Sequence, residues 1–446
     1  MSNIPQSWVA APIGDLCTLN NGRAFKPSEW KVAGVPIVRI QNLNNPVAKF
    51  NRYEGEVDGR YRLRGGELLF AWSGTPGTSF GAHIWKGGEA VVNQHIFRVD
   101  FDETLLSKRF FQLAINQKLG ELIDIAHGGV GLRHVTKGKF ERTEIALPPQ
   151  AEQQRIADKL DALLARVDAC RERLGRIPNI LKRFRQSVLA AATSQSSTFE
   201  AGGKSPWRKH LLADLCVENR VITYGVIKLG DEVPEGVPCL RTSNVRKLLI
   251  EAKGLKRIAS SLSKEYDRTV LQGGEVLVNV RGTLGGVAVV PNQMTGWNVS
   301  REVAVVPVDQ SRVSPEFLAF WIATDEVQRW LTGVQKGVAY TGINIEDLRN
   351  LPVELPTLDE QTEIVRRVDA LFALADRIEA RYEATRAQVD KLTPALLAKA
   401  FRGELVPQDP ADEPASVLLD RIRASRDGAP TKPRRGRSAR ARKKTA

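Results

Sequence analysis

The sequence has 446 residues, 42% of them apolar and 26% charged, and a formal net charge of +14; this length allows two to four domains. No uncharged apolar run reaches 18 residues, which excludes a transmembrane helix, and Met1–Trp8 lacks the basic and apolar regions of a secretory signal. Four scattered cysteines exclude a disulfide scaffold, so we expect a cytoplasmic protein without a membrane partner.

An internal repeat divides the chain into two similar halves. Corresponding residues are separated by 202 positions in the first shared motif and by 208 in all later ones. Two long copies indicate a duplication with pseudo-two-fold symmetry, because solenoids need three or more short repeats. The repeated segments are Gly34–Asn42 with Gly236–Asn244, Gly65–Leu69 with Gly273–Leu277, Gly74–Thr75 with Gly282–Thr283, Gly129–Val130 with Gly337–Val338, and Leu147–Gln153 with Leu355–Gln361.

The first part of each half predicts a mostly β globule. Short β-branched or aromatic runs end in glycine-rich turns, as in Glu67–Trp72 and Glu275–Val280. One helix is predicted inside each globule, at Ser107–Asn116 and at Ser314–Ala323. We therefore expect two α+β domains of about 150 residues each. The other predicted strands are Ile37–Ile40, Ala90–Val99 and Glu302–Pro307.

A long helix with heptad periodicity is predicted after each globule. Apolar residues recur at alternating spacings of four and three from Ile156 to Val188, which is the pattern of a coiled-coil seam. The same phase returns from Ile364 to Leu396. The seam residues we single out are Ile156, Leu160, Leu163, Val167, Leu174, Leu181, Ile364, Val368, Leu371, Ile378, Val389 and Leu392.

Two long helices have consequences for the arrangement of the chain. The simplest way to bury both apolar stripes is to pack the helices against each other in antiparallel fashion, which would hold the globules at opposite ends of a rod. Each helix should be about 48 Å long at 1.5 Å per residue. Pro178 and Pro394 lie inside the two patterns, and each should kink or interrupt its helix.

The last part of the chain is predicted to be a short helix followed by a basic disordered tail. Ala415–Ala424 can form a helix with Val417, Leu418 and Ile422 on one side. Residues 428–446 hold eight basic residues and no acidic one, a composition that fits either phosphate binding or a solvated tail. The predicted segments are 1–149 (first globule), 150–199 (central helix and linker), 200–356 (second globule), 357–407 (distal helix) and 408–446 (short helix and tail).

This organisation resembles the specificity subunit of Type I restriction-modification systems. The resemblance extends from Trp8 to Pro407 and rests on two globules, each followed by Leu-Pro-x-x-x-Glu-Gln and a heptad helix, with Ala400–Pro407 after the second helix. It implies two target-recognition domains, each of which reads one half of a bipartite asymmetric site in double-stranded DNA. It also implies that the paired helices set the distance between the half-sites and dock two modification subunits.

The resemblance assigns all catalysis to other chains. Adenine methylation would belong to the modification subunits and ATP-driven cleavage to restriction (translocase) subunits, with S-adenosylmethionine, ATP and Mg bound there and no cofactor in this chain. The family pattern does not require the basic extension after Asp427.

Three pairs of recurring turns are the candidate DNA-contacting elements, because base readout uses Arg, Asn, Ser or Thr on loops that face a groove. Each has a structural alternative: an Asn that holds a turn, a glycine turn with positive φ, and sequence drift in a solvent loop. The candidates are Arg39, Asn42, Arg241 and Asn244 in the first pair, Ser73, Thr75, Arg281 and Thr283 in the second, and Arg133, His134, Tyr340 and Thr341 in the third.

Motifs typical of enzymes fail on their context. Gly77–Gly81 matches Gly-x-Ser-x-Gly but lies between two predicted strands instead of on a strand-to-helix turn. The five histidines have no ligand spacing, and no Asn-Pro-Pro-Tyr or Asp-Pro-Pro-Tyr motif for gripping a flipped adenine is present. We therefore expect no catalytic and no metal residues, and two alternatives remain: a degenerate nuclease or methyltransferase, and a coiled-coil scaffold without sequence readout.

Overall fold

The computed structural model describes residues 4–45, 48–74, 79–124, 133–194, 207–333 and 342–427, with backbone only at residues 74, 133 and 134. The chain forms two compact units. Unit 1 comprises Met1–Glu172 and Arg386–Ala446, and unit 2 comprises Arg173–Thr385. The boundary between the units therefore falls inside both long helices.

The first globule belongs to unit 1 and is built mostly of short strands. Its strands are β1 (Val9–Pro12), β2 (Thr18–Asn21), β3 (Val35–Val38), β4 (Asn51–Tyr53), β5 (Arg62–Leu63), β6 (Leu68–Ala71), β7 (Ser73–Gly74), β8 (Gly81–Ile84), β9 (Ala90–Val92), β10 (Ile96–Asp100), β11 (Arg133–His134) and β12 (Glu144–Leu147). Its helices are α1 (Ile13–Leu16), α2 (Ile40–Asn44), α3 (Lys108–Gln117), α4 (Leu119–Asp124) and α5 (Lys137–Arg142).

The first long helix, α6, spans Gln150–Ala192. The second globule follows it and lies within unit 2. Its strands are β13 (Arg208–Leu211), β14 (Thr223–Tyr224), β15 (Val237–Leu240), β16 (Val245–Arg246), β17 (Leu249–Ile250), β18 (Lys256–Ile258), β19 (Val276–Asn279), β20 (Val287–Val289), β21 (Asn298–Val299), β22 (Val303–Val306) and β23 (Pro352–Leu355). Its helices are α7 (Ser260–Glu265), α8 (Pro315–Ala323), α9 (Asp325–Gly333) and α10 (Ile345–Arg349).

The two globules share one sheet topology, which confirms the predicted duplication. Strands β2-β10-β6-β8 form the central sheet of the first globule, and β14-β22-β19-β20 form that of the second in the same order. Each globule also contains one parallel pair in a second sheet, β3 with β9 and β15 with β21. In each, the first strand pairs antiparallel with the last, β1 with β12 and β13 with β23, so the ends of each globule meet.

The recurring Gly-Gly-Glu motif is a turn before a central strand. Gly65 and Gly66 have φ values of 116° and 89°, and Gly273 and Gly274 have 94° and 83°, a region that side chains disfavour. The glutamate that follows closes the turn, because the Glu275 carboxylate accepts hydrogen bonds from the backbone N–H groups of Gln272 and Gly273, each at 2.8 Å. Glu67 does the same in the first globule.

The second long helix, α11, spans Leu358–Ala400, so both long helices have 43 residues. They exceed the predicted length, at about 65 Å each, and neither Pro178 nor Pro394 ends its helix. The helices are paired in both units. In unit 1 the Arg171 guanidinium lies 3.5 Å from the Asp390 carboxylate, and in unit 2 Arg185 donates to Asp376 at 2.7 Å. No helix among the described residues could span a membrane.

The seam of α11 is only half buried, which differs from the prediction. Leu371, Ile378 and Leu392 keep 40, 41 and 44% of their surface exposed. When a helix packs against a single neighbour, only one of its two seam positions per heptad faces fully inward. In α11 this buried position is occupied by residues such as Val368 and Val389. In α6, Ile156, Leu160, Val167 and Leu181 are buried, whereas Leu163 and Leu174 are half-buried.

The last described helix, α12 (Ala415–Asp427), packs on the first globule. Its residues Leu418, Leu419 and Ile422 are buried in the same core as Trp8, whereas Val417, predicted on the apolar side, is 44% exposed. The Arg423 guanidinium pairs with Asp15 at 2.6 Å. The segment predicted as a short helix is therefore part of the hydrophobic core of unit 1.

Candidate nucleic-acid interface

The first pair of candidate turns is held by buried asparagines. Asn42 Oδ1 accepts a hydrogen bond from the Arg39 N–H at 3.0 Å, and its Nδ2 donates to the Ala48 carbonyl at 3.3 Å. Asn244 repeats this arrangement: its Oδ1 accepts from the Arg241 N–H at 3.0 Å. Both amides are buried and face the backbone, the geometry of the turn-forming role that the sequence left open.

The arginines of these turns are half-buried and have different surroundings. The Arg39 guanidinium lies 5.2 Å from the centre of the Trp30 ring, a cation–π distance. Arg241 Nη2 instead donates to the Gly254 carbonyl at 3.0 Å. The same turn therefore presents its cation in a different way in each domain.

In each domain the second candidate turn pairs with the chain at the end of the third candidate segment. In the first domain β7 pairs antiparallel with β11, with Ser73 opposite His134 and Gly74 opposite Arg133. In the second domain Arg281 forms the equivalent antiparallel bridge to Gly342. Two segments about sixty residues apart in sequence therefore form one paired element in each domain. The Ser73 side chain is buried in this element, whereas Arg281, at the equivalent position of the second domain, is exposed. The remaining candidates, namely Thr75, Tyr340, Thr341 and the side chains of Arg133 and His134, lie outside the described residues.

In the second domain, this element borders a cleft of about 520 Å³. Arg281 is exposed there, with its guanidinium 5.5 Å from the centre of the Tyr224 ring, and Arg301 and Asn344 also line the cleft. Thr283 lies exposed in the adjoining turn. Cations, amides and an aromatic ring are the groups that bind phosphates and nucleotides. Sequence analysis missed Tyr224, Arg301 and Asn344, because none of them lies in a recurring motif.

A tight backbone shapes the Arg281 turn. Gly282 and Gly285 have φ values of 71° and 90°, so this turn needs glycine at both positions. This agrees with the alternative interpretation of the motif as a glycine turn with positive φ. The same conformation leaves the Arg281 side chain on the outside of the turn, where it is exposed.

A larger cleft of about 980 Å³ lies in unit 1 between the first globule and α6. Lys86, Trp85 and Asn42 line it on the globule side, and Asp161 lines it on the helix. Arg109 of α3 closes one end by a two-pronged ion pair with Asp161, in which Nε donates to Oδ1 at 2.8 Å. This contact fixes the globule on the helix.

The glutamine of the Leu-Pro-x-x-x-Glu-Gln motif joins each globule to its long helix. Gln153 is fully buried; its Oε1 accepts from the Ser107 N–H at 2.9 Å and its Nε2 donates to the Pro148 carbonyl at 3.1 Å. Gln361 makes the same two bonds, to the Ser314 N–H at 2.8 Å and the Pro356 carbonyl at 3.0 Å. The motif is therefore a structural joint.

The preceding glutamate behaves differently in the two halves. Glu152 accepts a hydrogen bond from Trp8 Nε1 at 2.9 Å and one from Gln408 Nε2, and burial raises the pKa of its carboxyl above the usual value. Glu360, its counterpart, instead caps its own helix by accepting from the Thr357 N–H at 2.9 Å.

Three of the four cysteines are poorly suited to nucleophilic chemistry. Burial raises the pKa of the Cys17 and Cys239 thiols to about 12 and that of Cys216 to about 11, so the thiolate is scarce at neutral pH. Within the described ranges, no group of three or more His, Cys, Asp or Glu side chains could hold a metal ion.

Comparison with known proteins identifies the family. The family model described as the Type I restriction modification DNA specificity domain matches the chain twice, over residues 5–178 and 212–385, which is well over half of its length. The chain belongs to the Type I restriction-modification specificity subunits. Each matched segment of this specificity subunit contains one globule and the first part of the long helix that follows it.

Individual relatives carry the same description. The specificity subunit of the Type I restriction enzyme EcoBI from Escherichia coli is 34% identical over 450 residues, which cover 95% of this chain and 93% of that protein. The EcoKI specificity subunit from Escherichia coli strain K12 is 29% identical and covers 95% and 96%.

Solved structures share the fold of this specificity subunit. The crystal structure of the HsdS subunit from Thermoanaerobacter tengcongensis matches with a TM-score of 0.60 and 21% identity, over 90% of this chain and 98% of that one. A chain from the structural study of complex assembly and conformational transition of the type I R-M system matches with a TM-score of 0.68 and 20% identity, over 90% and 99%.

Proposed function

We propose that this specificity subunit binds double-stranded DNA and reads a bipartite asymmetric site, one half with each domain. The observation that carries this proposal is the equivalent pairing of two segments in each domain, Ser73 with His134 in the first and Arg281 with Gly342 in the second. One backbone framework carries a buried serine in the first domain and an exposed arginine in the second. Two readers that differ in this way favour two different half-sites, whereas a homodimer would read a palindrome.

The two long helices set the distance between the half-sites in this proposal. Each helix is about 65 Å long, close to two turns of duplex DNA at about 34–36 Å per turn. Helices held by packing along their length are stiff enough to fix such a spacing. Two modification subunits would dock on the long helices. Their docking surface would be formed by the partly exposed row of Leu371, Ile378 and Leu392 on α11 and by the corresponding face of α6.

The chemistry of modification and restriction would reside in those partner chains, in the cytoplasm. Adenine methylation with S-adenosylmethionine and ATP- and Mg-dependent cleavage by restriction (translocase) subunits need sites that this chain is not expected to supply. The task of this chain would be to orient the partner chains on DNA.

Genome-wide mapping of methylated adenines tests this proposal. The map is compared between hosts that carry the intact chain, no chain, or a chain whose second globule, residues 207–355, is replaced by that of a relative. We expect a two-part motif that disappears on deletion and that changes in one half only after the replacement. A motif that persists without the chain, or changes in both halves, would contradict the proposal.

A further inference from the structure

Two candidate turns of the second domain converge on one buried side chain. Asn279 is the last residue of β19 in the central sheet, and only 2% of its surface is exposed. Its backbone N–H donates to the Gly286 carbonyl at 2.9 Å. A Cβ placed on Gly282 would lie 3.8 Å from Thr242 Oγ1, so the turns that carry Arg241 and Arg281 are neighbours here.

The Asn279 amide bonds to both turns. Its Nδ2 donates toward the Thr242 and Val245 carbonyls, at 3.3 and 3.1 Å, which belong to the Arg241 turn and the strand after it. It also donates to the Thr283 carbonyl at 3.0 Å, which belongs to the Arg281 turn. The two N–H groups of the Asn279 amide are therefore shared among three carbonyl oxygens. In this way the side chain bridges two segments about forty residues apart in sequence.

The amide can work in one orientation only. Asn279 Oδ1 is buried, and it has no hydrogen-bond partner among the residues that the structure describes. The reversed amide would set an oxygen against three carbonyl oxygens, which would be worse than one unsatisfied acceptor. A buried acceptor without a partner costs stability, so the bonds to the two turns must outweigh that cost.

A glycine leaves room for this bridge. A Cβ on Gly286 would lie 2.2 Å from Asn279 Nδ2 and 2.3 Å from the Val245 carbonyl oxygen, closer than any side chain could approach. The first domain has Ala71 at the position of Asn279, and its strand register places Gly81 at the position of Gly286. Alanine has no donor, so the first domain cannot form this bridge.

We propose that Asn279 is a positioning residue that fixes the Arg241 turn relative to the Arg281 turn and thereby sets the base preference of the second domain. Being buried, Asn279 acts through the turns and touches no DNA. This inference rests on the proposed reading of DNA by the second domain. It predicts an effect confined to one half-site, since the first domain lacks the bridge.

The test uses the full chain assembled with modification subunits and DNA that carries single-base changes in either half-site. Asn279→Asp keeps the shape but turns a carboxylate toward three carbonyl oxygens, and Asn279→Ala is the milder variant because the first domain has alanine here. We expect the preference for the cognate base pair in the second half-site to fall on the order of ten-fold, with the first half unchanged.

A matched control separates positioning from general destabilisation. Asn298 is also fully buried in the second domain, but its amide bonds to Ser263 and Thr269, away from the candidate turns. Asn298→Ala should leave base preference intact even if the melting temperature falls. The inference is overturned if folded Asn279 variants keep the wild-type preference, or if Asn298→Ala relaxes it equally. Wild-type protein without preference in the second half would instead overturn the proposed function.

Discussion

At the scale of single residues, buried amides hold the recurring motifs of this protein in place. Asn42, Asn244, Gln153 and Gln361 each accept a hydrogen bond from a backbone N–H and donate one to a carbonyl. A carboxamide offers both functions without charge, whereas a carboxylate only accepts and a hydrophobic side chain does neither. The duplication therefore retained residues whose task is structural at the positions that look most like binding residues.

Gln153→Glu tests the joint between the first globule and α6. The glutamate cannot donate to the Pro148 carbonyl and brings a charge into a buried site, so we expect a loss of about 1–3 kcal/mol in unfolding free energy. Denaturant unfolding of unit 1 measures it. The neighbouring exposed residue provides the control: Gln154→Glu should cost only about 0.2–0.5 kcal/mol, because it loses an exposed hydrogen bond to Asp158 and places two carboxylates one helical turn apart. Equal stability of both variants would show that the joint is not held in this way.

A second pair of variants separates contacts with bases from contacts with phosphates. Arg281 is exposed beside Tyr224, so Arg281→Ala should weaken binding to all sequences alike and lower the slope of log affinity against log salt by about one. Arg133→Ala should instead cost about 1–3 kcal/mol at a single base pair. Binding of the assembled complex to single-base variants at several salt concentrations distinguishes them. Uniform weakening by Arg133→Ala would assign its turn to the phosphates.

At the scale of elements, the pairing of two helices explains which seam residues are buried. Val368 keeps 2% of its surface exposed and belongs to the inward row, whereas Leu371, three residues later, keeps 40%. Ile364 lies in the same row as Leu371 but keeps only 7%, because it packs with residues of the second globule in the core of unit 2. Two helices alone enclose one row of side chains and leave the second row at the rim. The second row is thus available to a further helix.

Ile364→Ala and Leu371→Ala should therefore act on different properties. We expect Ile364→Ala to cost about 2–5 kcal/mol in the unfolding of the free chain and Leu371→Ala less than about 1 kcal/mol. Leu371→Ala should instead weaken the association with modification subunits. Calorimetry of the free chain and titration with those subunits give the two numbers. A large destabilisation by Leu371→Ala, or unchanged assembly, would contradict this division.

The sequence predicted the elements well because repetition and heptad spacing are local signals. The one helix predicted in each globule (α3 and α8), the central strands, the duplication and the phase of both long helices follow from such patterns, whereas the other globule helices were not predicted. The seam prediction failed at Leu371 because periodicity gives the direction of a side chain and not the number of neighbours that cover it. The sequence pattern also could not predict that the Asn42 amide faces inward, since an asparagine in a turn has the same sequence signature whether its side chain points inward or outward. Asn279 offered one unused signal: an asparagine inside an apolar strand.

At the scale of the whole molecule, the net charge is concentrated beyond the last described helix. Residues 428–446 contain eight basic residues, while α12 before them is tied to the first globule by the Arg423–Asp15 pair. Truncation after Asp427 should lower the slope of log affinity against log salt concentration by about 0.9 for each phosphate that the extension neutralises. It should leave the base preference unchanged. The described core of unit 1 is complete at Asp427, so the melting temperature should stay constant. An unchanged salt slope would mean that the extension is only solvated.

The packing of α12 also has a consequence for biosynthesis. Unit 2 is one continuous stretch of chain, but the core of unit 1 includes Ala400, Phe401 and Leu418 and so cannot be completed until the last part has been made. At about 5–20 residues per second, the first globule must wait on the order of 10–50 s with an apolar face uncovered. The first globule is thus synthesised before unit 2 but completes its core after unit 2 has been made, and we expect it to bind chaperones in that interval.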